Sequence, residues 1–350
     1  MATSNQIRFL SNNANSVPTP TDLLLPVFGG EVLTAFEEYN QFLDKVNYKT
    51  IMSGNTMKFP ATWKIGSEYH EAGTELLGLD MSTKEYTITL DDRPLVSHFE
   101  VDDIDTALSH FDVRNEIATE TGRELARQLD RKIAILLLNA ARTTSDSGTN
   151  PFPIGGNGLG GGVGPSADFD ETAWGSERNA AALVEHIGVV CQKMDENDVP
   201  VNDRCCVVNV PLYYALRKLG LPYYDLSTTS VVNLDSQALW GRNDTAAAGP
   251  RIQDKQGYQM PIDVMGVPVY ASNHVPSTDI TTGPSKYQGT FSRTGGVIFQ
   301  KQAIAVLQLM GISTEKFRDV RRQSDFMLAK MMTGGGTLRP YCAYEIAGTP

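Results

Sequence analysis

Six residues, GNGLGG from Gly156 to Gly161, have the GxGxxG spacing that lets backbone amides close on a pyrophosphate. That chemistry needs a strand running into the glycines and a helix running out, so that amides and helix dipole face the anion. Here a proline-broken coil leads in and more glycines lead out, so a nucleotide-binding enzyme is the alternative reading and not the leading one. No Walker A sequence is present. The other chemistry-bearing side chains are dispersed. His70, His98, His110, His186 and His274 stand singly, with no HExxH or HxH spacing to hold a metal. Cys191, Cys205, Cys206 and Cys342 form no CxxC pair and read as free thiols, buried or half-buried. There is no GxSxG elbow, and Asp102, Asp103 and Asp105 suit the positive end of the helix that follows them. Arg318, Arg321 and Arg322 in FRDVRRQSD could meet a phosphate, but Glu315, Asp319, Asp325 and Glu345 favour interleaved ion pairs. The expectation is a protein with no catalytic residues, no cofactor and no metal.

Bulk composition narrows the class. The 350 residues carry a formal net charge of -11, which opposes affinity for nucleic acid through a general positive field. With 41% hydrophobic residues the chain can bury a substantial core, and two domains fit its length. No apolar run approaches the roughly 20 residues that cross a bilayer, and MATSNQIRFLSNN lacks the order of a signal peptide, so no membrane partner is expected.

The elements that would position these groups mix helix and strand without the regular alternation of a doubly wound sheet, so the class is α+β. Residues 1–25 read as an extended arm, and the glycine pair Gly29–Gly30 as the release point of a helix. MKFPATWKI and KEYTITL read as two long strands, with Tyr86, Ile88 and Leu90 on one face and Thr87 and Thr89 on the other. The longest helix is expected from Phe111 to Arg142, capped by Asp112 and burying Val113, Ile117, Leu125, Leu129, Ile133, Leu136, Leu137 and Ala140. Residues 143–175 are dense in glycine and proline and read as a loop. Beyond them, Leu183, Ile187, Val190, Cys191 and Met194 mark a helix, RCCVVNV a buried strand and LYYALRKLG a short helix. VMGVPVYAS and AIAVLQLMGI supply further strands.

One stripe raises a question of partnership. Val32, Phe36, Tyr39 and Leu43 recur on one face of a helix, while the sequence before them is polar or broken by proline. Two surfaces could cover them: a neighbouring subunit, or the chain's own long helix. An isolated two-stranded excursion is marginal in water, so residues 48–97 raise the same question.

Several segments together resemble a known family. VFGGEVLTAF (27–36), HFDVRNEIATETGRELA (110–126), DVMGVPVYASNHVP (263–276) and KFRDVRRQSDFMLAKMMTGGGTLRP (316–340) look like the major capsid protein of T-seven-like short-tailed phages, in that family's own order. The glycine-rich loop at 143–175 and the middle of the hairpin depart from it. The resemblance implies the tailed-phage, HK-ninety-seven-like capsid fold. It implies an N-terminal arm at 1–47, an E-loop hairpin at 48–97 and a P-domain with its spine helix at 98–145. The glycine-rich loop at 146–175, an A-domain at 176–312 and a return to the P-domain at 313–350 follow.

The function so implied is a shell protein that self-assembles as pentamers and hexamers into an icosahedral head around double-stranded DNA, matures from a procapsid and resides in the virion. Its expected partners are copies of itself, a portal protein, a separate scaffolding protein and, by weak non-specific contact, the packaged DNA; assembly would take place in the host cytoplasm. Subunit-interface candidates are Val32, Phe36, Tyr39, Lys58, Lys64, Arg318, Arg321 and Arg322. A non-lattice phage binding module is the remaining alternative.

Overall fold

The computed structural model describes residues 20–62, 67, 69–70, 75, 83–102, 113–143, 169–170, 172–219 and 262–348. The glycine-rich segment with GNGLGG, the hairpin middle with Lys64, Asp103, Asp105, Asp112 and Gly220 lie outside these residues. The chain forms two compact units: unit 1 comprises 1–40, 92–128 and 310–332, and unit 2 comprises 41–91, 129–309 and 333–350.

Unit 1 is built where two helices can approach closely. Helix α1 (Pro20–Tyr39) packs on the first part of α2 (Val113–Arg142) through Gly122, where an added Cβ would lie 2.5 Å from the Val32 carbonyl oxygen and 2.9 Å from the Ala35 Cβ. Phe28, Val32, Ala35 and Phe36 are buried, as are Ala118, Leu125 and Ala126 of α2. The helix starts at Pro20, so Gly29 and Gly30 lie inside it and do not release it. Gly29 is there for space: a Cβ would meet the Thr314 hydroxyl at 3.1 Å. Strand β4 (Leu95–Asp102) pairs antiparallel with the first half of β10 (Ser324–Thr337), from Ser324 opposite Asp102 to Met331 opposite Leu95. Phe99 of β4 meets Phe28 edge to face at 5.8 Å.

Unit 2 surrounds the rest of α2. From Leu129 to Ala141 that helix is buried on nearly every side, including Ala134, Ile135 and Leu138, which lie off the expected stripe. An all-round apolar helix belongs inside a core. A mixed sheet of five strands runs in the order β11 (Ala343–Ala347), β8 (Thr294–Gln300), β5 (Arg204–Val208), β7 (Val267–Ala271), β6 (Ile262–Val264). Only β5 and β7 pair in parallel. Every residue of β5 is buried, which is why its sequence is continuously apolar after Arg204. Helix α3 (Glu177–Glu196) is capped by Ser176, whose hydroxyl accepts the Asn179 amide, and it packs on α4 (Val210–Leu219). Met265 and Gly266, both at positive φ, close the β6–β7 hairpin in the manner of a type I′ turn.

The remaining strands of unit 2 explain the triple glycine. Strand β1 (Asn47–Thr50) runs parallel to the Ala305–Gln308 part of β9 (Ile304–Asp319). Strands β2 (Thr56–Thr62) and β3 (Thr83–Thr89) pair antiparallel, and their inner face, Phe59 and Ile88 with the following Leu90, packs on Ala305, Leu307 and Leu338. The base of the hairpin therefore buries its apolar side within its own chain. Gly334 allows this, because a Cβ there would sit 2.5 Å from the Leu90 Cα. The domain boundary read at residue 312 falls inside β9, and the last strand, β11, joins the five-stranded sheet.

Candidate assembly surfaces

The stripe on α1 is divided between two faces. Val32 is fully buried and Phe36 nearly so, packed within unit 1 on the Gly122 face of α2, so the chain's own long helix covers them. Of the two covers left open by the sequence, the chain's own helix is the one found for Val32 and Phe36. Helix-to-helix contact at a glycine brings the backbones close enough for dispersion to act over the whole seam. The flank stays open: Leu33 is 46% and Tyr39 39% exposed, with the Arg123 guanidinium 4.4 Å above the Tyr39 ring. Leu43, the fourth residue of the stripe, belongs to a short 3-10 turn in unit 2.

The turn joining β9 and β10 in unit 1 is a charged rim. Asp325 accepts from Lys316 at 2.7 Å and Arg318 at 3.1 Å, and Arg322 reaches Glu100 at 3.5 Å and Asp319 at 3.9 Å. Lys330 pairs with Glu315. These are the interleaved pairs that the sequence suggested, except that Glu345 belongs to unit 2 and pairs with Arg142. Partial burial pushes the Asp325 carboxyl up, but the hydrogen bonds from Lys316 and Arg318 outweigh it and hold the group below its ordinary value. Arg321 fixes the turn through its backbone, its amide donating to Asp319 Oδ1 at 2.9 Å. Phe317 and Val320 stand among these charges, 66% and 71% exposed. Exposed pairs of this kind contribute about 0–1 kcal/mol each, so the rim adds register more than strength.

On the hairpin, Lys58 donates to Glu85 at 2.7 Å, both side chains being exposed. Lys58, an interface candidate from the sequence, thus has a carboxylate partner on its own hairpin. Beside the hairpin base, Phe59, Pro60, Tyr86 and Leu338 line an open groove of about 250 Å³ that also receives Asn47, Gln302 and Arg339.

Three polar centres inside unit 2 were not found in the sequence. Asp130, fully buried on α2, accepts from the Gln41 amide at 2.8 Å, the Phe42 amide at 3.3 Å and His274 Nδ1 at 3.0 Å. Asp91 lies 3.1 Å from Lys132 Nζ and 2.5 Å from Lys286 Nζ, and accepts the Tyr287 hydroxyl at 3.0 Å. Glu345, also buried, takes Arg142 in a bidentate pair at 2.5 and 2.6 Å and accepts the Thr294 hydroxyl at 2.7 Å. The available signal was an acid or an arginine interrupting the apolar stretch of α2, at positions 130 and 142, since an isolated charge is not buried without a partner.

Among the described residues, no group of three or more His, Cys, Asp or Glu could hold a metal. The four cysteines are free, with Cys205, Cys206 and Cys342 buried and Cys191 half-buried. Burial pushes the Cys205 and Cys342 thiols up to about 12, and Cys206 upward too. Such thiols are inert nucleophiles near neutral pH. They also set a pH dependence. In the unfolded chain a thiol ionises near pH 8.5, whereas here it stays protonated, so the unfolded state holds fewer protons above that pH and stability falls as pH rises. Unfolding free energies from urea denaturation are expected to be flat with respect to these groups below about pH 8 and to decline from there toward pH 12, by up to about 1.4 kcal/mol per pH unit for each thiol. Cys205→Ser with Cys342→Ala should flatten part of that decline.

Comparison with known proteins gives these surfaces a context. A family model described as "Gp10A-like: Major capsid protein" matches residues 58–347. The chain is 26% identical to the major capsid protein of Escherichia phage T7, over 92% of this chain and 90% of that one. The capsid structure of the cyanophage P-SCSP1u aligns over 99% of both chains with a TM-score of 0.65 and 29% identity. The mature capsid of bacteriophage PhiM1 aligns over 99% of this chain and 95% of that one with a TM-score of 0.63 at 15% identity, a likeness of fold. The α+β architecture is that of tailed-phage capsids, and the chain is a capsid-forming structural protein and a virion component. On a family match running through most of its length, the chain belongs to the Gp10A-like major capsid protein family.

Proposed function

We propose that this chain assembles as pentamers and hexamers into an icosahedral head enclosing double-stranded DNA, built from a procapsid in the host cytoplasm with a separate scaffolding protein and a portal. The observation that carries this reading is the family match over residues 58–347, joined to the end-to-end likeness to the cyanophage capsid. In this reading residues 1–47 act as arm, 48–97 as E-loop, 98–145 as P-domain with its spine helix, 146–175 as a glycine-rich loop, 176–312 as A-domain and 313–350 as the return to the P-domain. The net charge of -11 suits a container that touches its DNA weakly. Shell stability then comes from many weak contacts closed together, so the opening of one leaves the others in place.

Within unit 1, the exposed groups offered to a neighbouring subunit are Leu33 and Tyr39 on α1 and, in the Phe317–Arg322 stretch, Phe317, Val320, Arg318, Arg321 and Arg322, with Arg318 and Arg322 already paired to carboxylates of their own chain. Lys58 and Lys64 on the hairpin are further candidates. Val32 and Phe36 support such a contact from behind. Replacing Leu33 and Tyr39 together by glutamate is expected to leave subunit stability within about 0.5 kcal/mol of the parent, as surface changes do, while sharply lowering the yield of closed shells. Deleting residues 1–40 would do more, because it also removes Val32 and Phe36 from the Gly122 seam. Chemical denaturation of the subunit and sedimentation of the assembly reaction separate the two effects.

The test of the function itself is negative-stain electron microscopy of the chain produced with its scaffolding partner. Closed shells are expected. A compact trimer would favour a binding module, and saturable micromolar binding of NAD or ATP would favour the enzyme reading; either would overturn the proposal.

A further inference from the structure

The chain passes between its two units five times, at 40/41, 91/92, 128/129, 309/310 and 332/333. On the unit 2 side, four of these passages are tied to two buried carboxylates. Asp130, two residues past the third passage, takes both amides that follow the first, those of Gln41 and Phe42. A carboxylate only accepts, so His274 Nδ1 donates to it from the loop after β7. Asp91, the last residue before the second passage, is held by Lys132 and Lys286, and its own amide donates to the Thr333 carbonyl at 3.3 Å, just past the fifth. Asp130 and Lys132 are two residues apart on α2 and so project about 200° apart, one toward each set.

A buried carboxylate is weak evidence for stability, because removing it from water costs several kcal/mol before any partner is counted. An apolar side chain would fill the same space at lower cost. What a carboxylate adds is direction, since its lone pairs accept along fixed lines. Both carboxylates lie beside passages, and each binds main-chain or side-chain groups from segments far apart in sequence.

We propose that the Asp130–Lys132 turn of α2 is a positioning hub. Asp130 and Asp91 fix, in one frame, the points at which the arm, the hairpin end, α2 and β10 leave unit 2, and this shared frame gives every subunit in a shell the same set of exits. The assembly half of the proposal rests on the shell-forming reading above; the clasp itself does not.

The test uses full-length chain carrying Asp130→Asn or Lys132→Met. An asparagine at 130 presents a donor to one of the amides or to His274, so amide hydrogen exchange in the peptide spanning residues 41–46 is expected to speed by about tenfold, the equivalent of one hydrogen bond. Exchange in β5 and β8 should stay at the parent rate. Lys132→Met should do the same to the peptide around Asp91. Shells made from either variant should then vary in diameter more widely than parental shells. Unchanged exchange at the clasp, exchange that rises equally in β5 and β8, or shells as uniform as the parent's would each overturn the proposal. If the parent chain yields no shells, the shell-forming reading fails while the exchange comparison still decides the clasp. Should Asp130→Asn not fold, His274→Gln removes one partner of the same carboxylate and carries the same readings.

Discussion

Arg142→Ala is expected to destabilise the folded chain by about 3–5 kcal/mol, the cost of leaving a buried carboxylate without its cation. The guanidinium meets Glu345 through Nε and Nη2, donates from Nη1 to the Thr290 carbonyl at 2.6 Å, and lies 4.9 Å from the Phe291 ring centroid. Glu345 is 1% exposed, so in the folded chain Arg142 and Thr294 stand in for the water its carboxylate has given up. Lysine cannot reproduce the planar fork, and Arg142→Lys should cost a substantial part of the same amount. Removing both charges is the informative control. Arg142→Met with Glu345→Leu is expected to recover much of the loss, because the pair's attraction is largely offset by its desolvation. Urea denaturation of the four chains measures this. A single Arg142→Ala effect below about 1 kcal/mol would mean that the pair is hydrated and that the end of α2 is not anchored to β11 as described.

The second large effect is expected at Gly334. A Cβ there would lie 2.5 Å from Leu90 Cα, 2.7 Å from the Asp91 nitrogen and 2.8 Å from the Leu90 carbonyl carbon, all backbone atoms that cannot turn aside. Gly334→Ala must therefore push β10 from the end of β3, breaking the Asp91 amide bond to Thr333. A cost of about 3 kcal/mol is expected, at the upper end of overpacking, and more for valine. The neighbours supply a graded comparison. At Gly335 the nearest atom, at 2.5 Å, is the Leu136 Cδ1, a side-chain end able to rotate, and at Gly336 the nearest is Ile88 Cγ1 at 3.3 Å. The order of destabilisation by alanine should be 334, then 335, then 336. An equal effect at all three would indicate loss of glycine's backbone freedom and not close approach.

The parts of the fold that could be read from sequence are those fixed by local periodicity. The helix predicted over Phe111–Arg142 exists as Val113–Arg142, because its apolar positions recur at helical spacing for eight turns. The alternation in KEYTITL placed Ile88 and Leu90 inward and Thr87 and Thr89 outward, as observed. What local pattern cannot show is which distant segment comes to lie alongside. Gly122 and Gly334 look ordinary in sequence; their meaning lies in Val32 and Leu90, some ninety and two hundred and forty residues away. The Val32–Phe36 stripe was visible, but whether its cover was α2 or another subunit depended on that invisible glycine. Asp130 and Glu345 were hidden for the same reason, since a buried acid is explained only by its donors, here Gln41, Phe42 and His274 in one case and Arg142 and Thr294 in the other. The family resemblance supplied the function where residue chemistry did not, because a shell protein needs complementary surfaces and no reactive group.

The most direct test of the whole account is a cryo-electron microscopy map of the assembled particle in which side chains can be traced. It should show a closed lattice of this chain, with Val32 and Phe36 seated on their own Gly122 and with Leu33, Tyr39 and the Phe317–Arg322 stretch against neighbouring subunits. A discrete, closed oligomer in which those exposed groups face only solvent would contradict it.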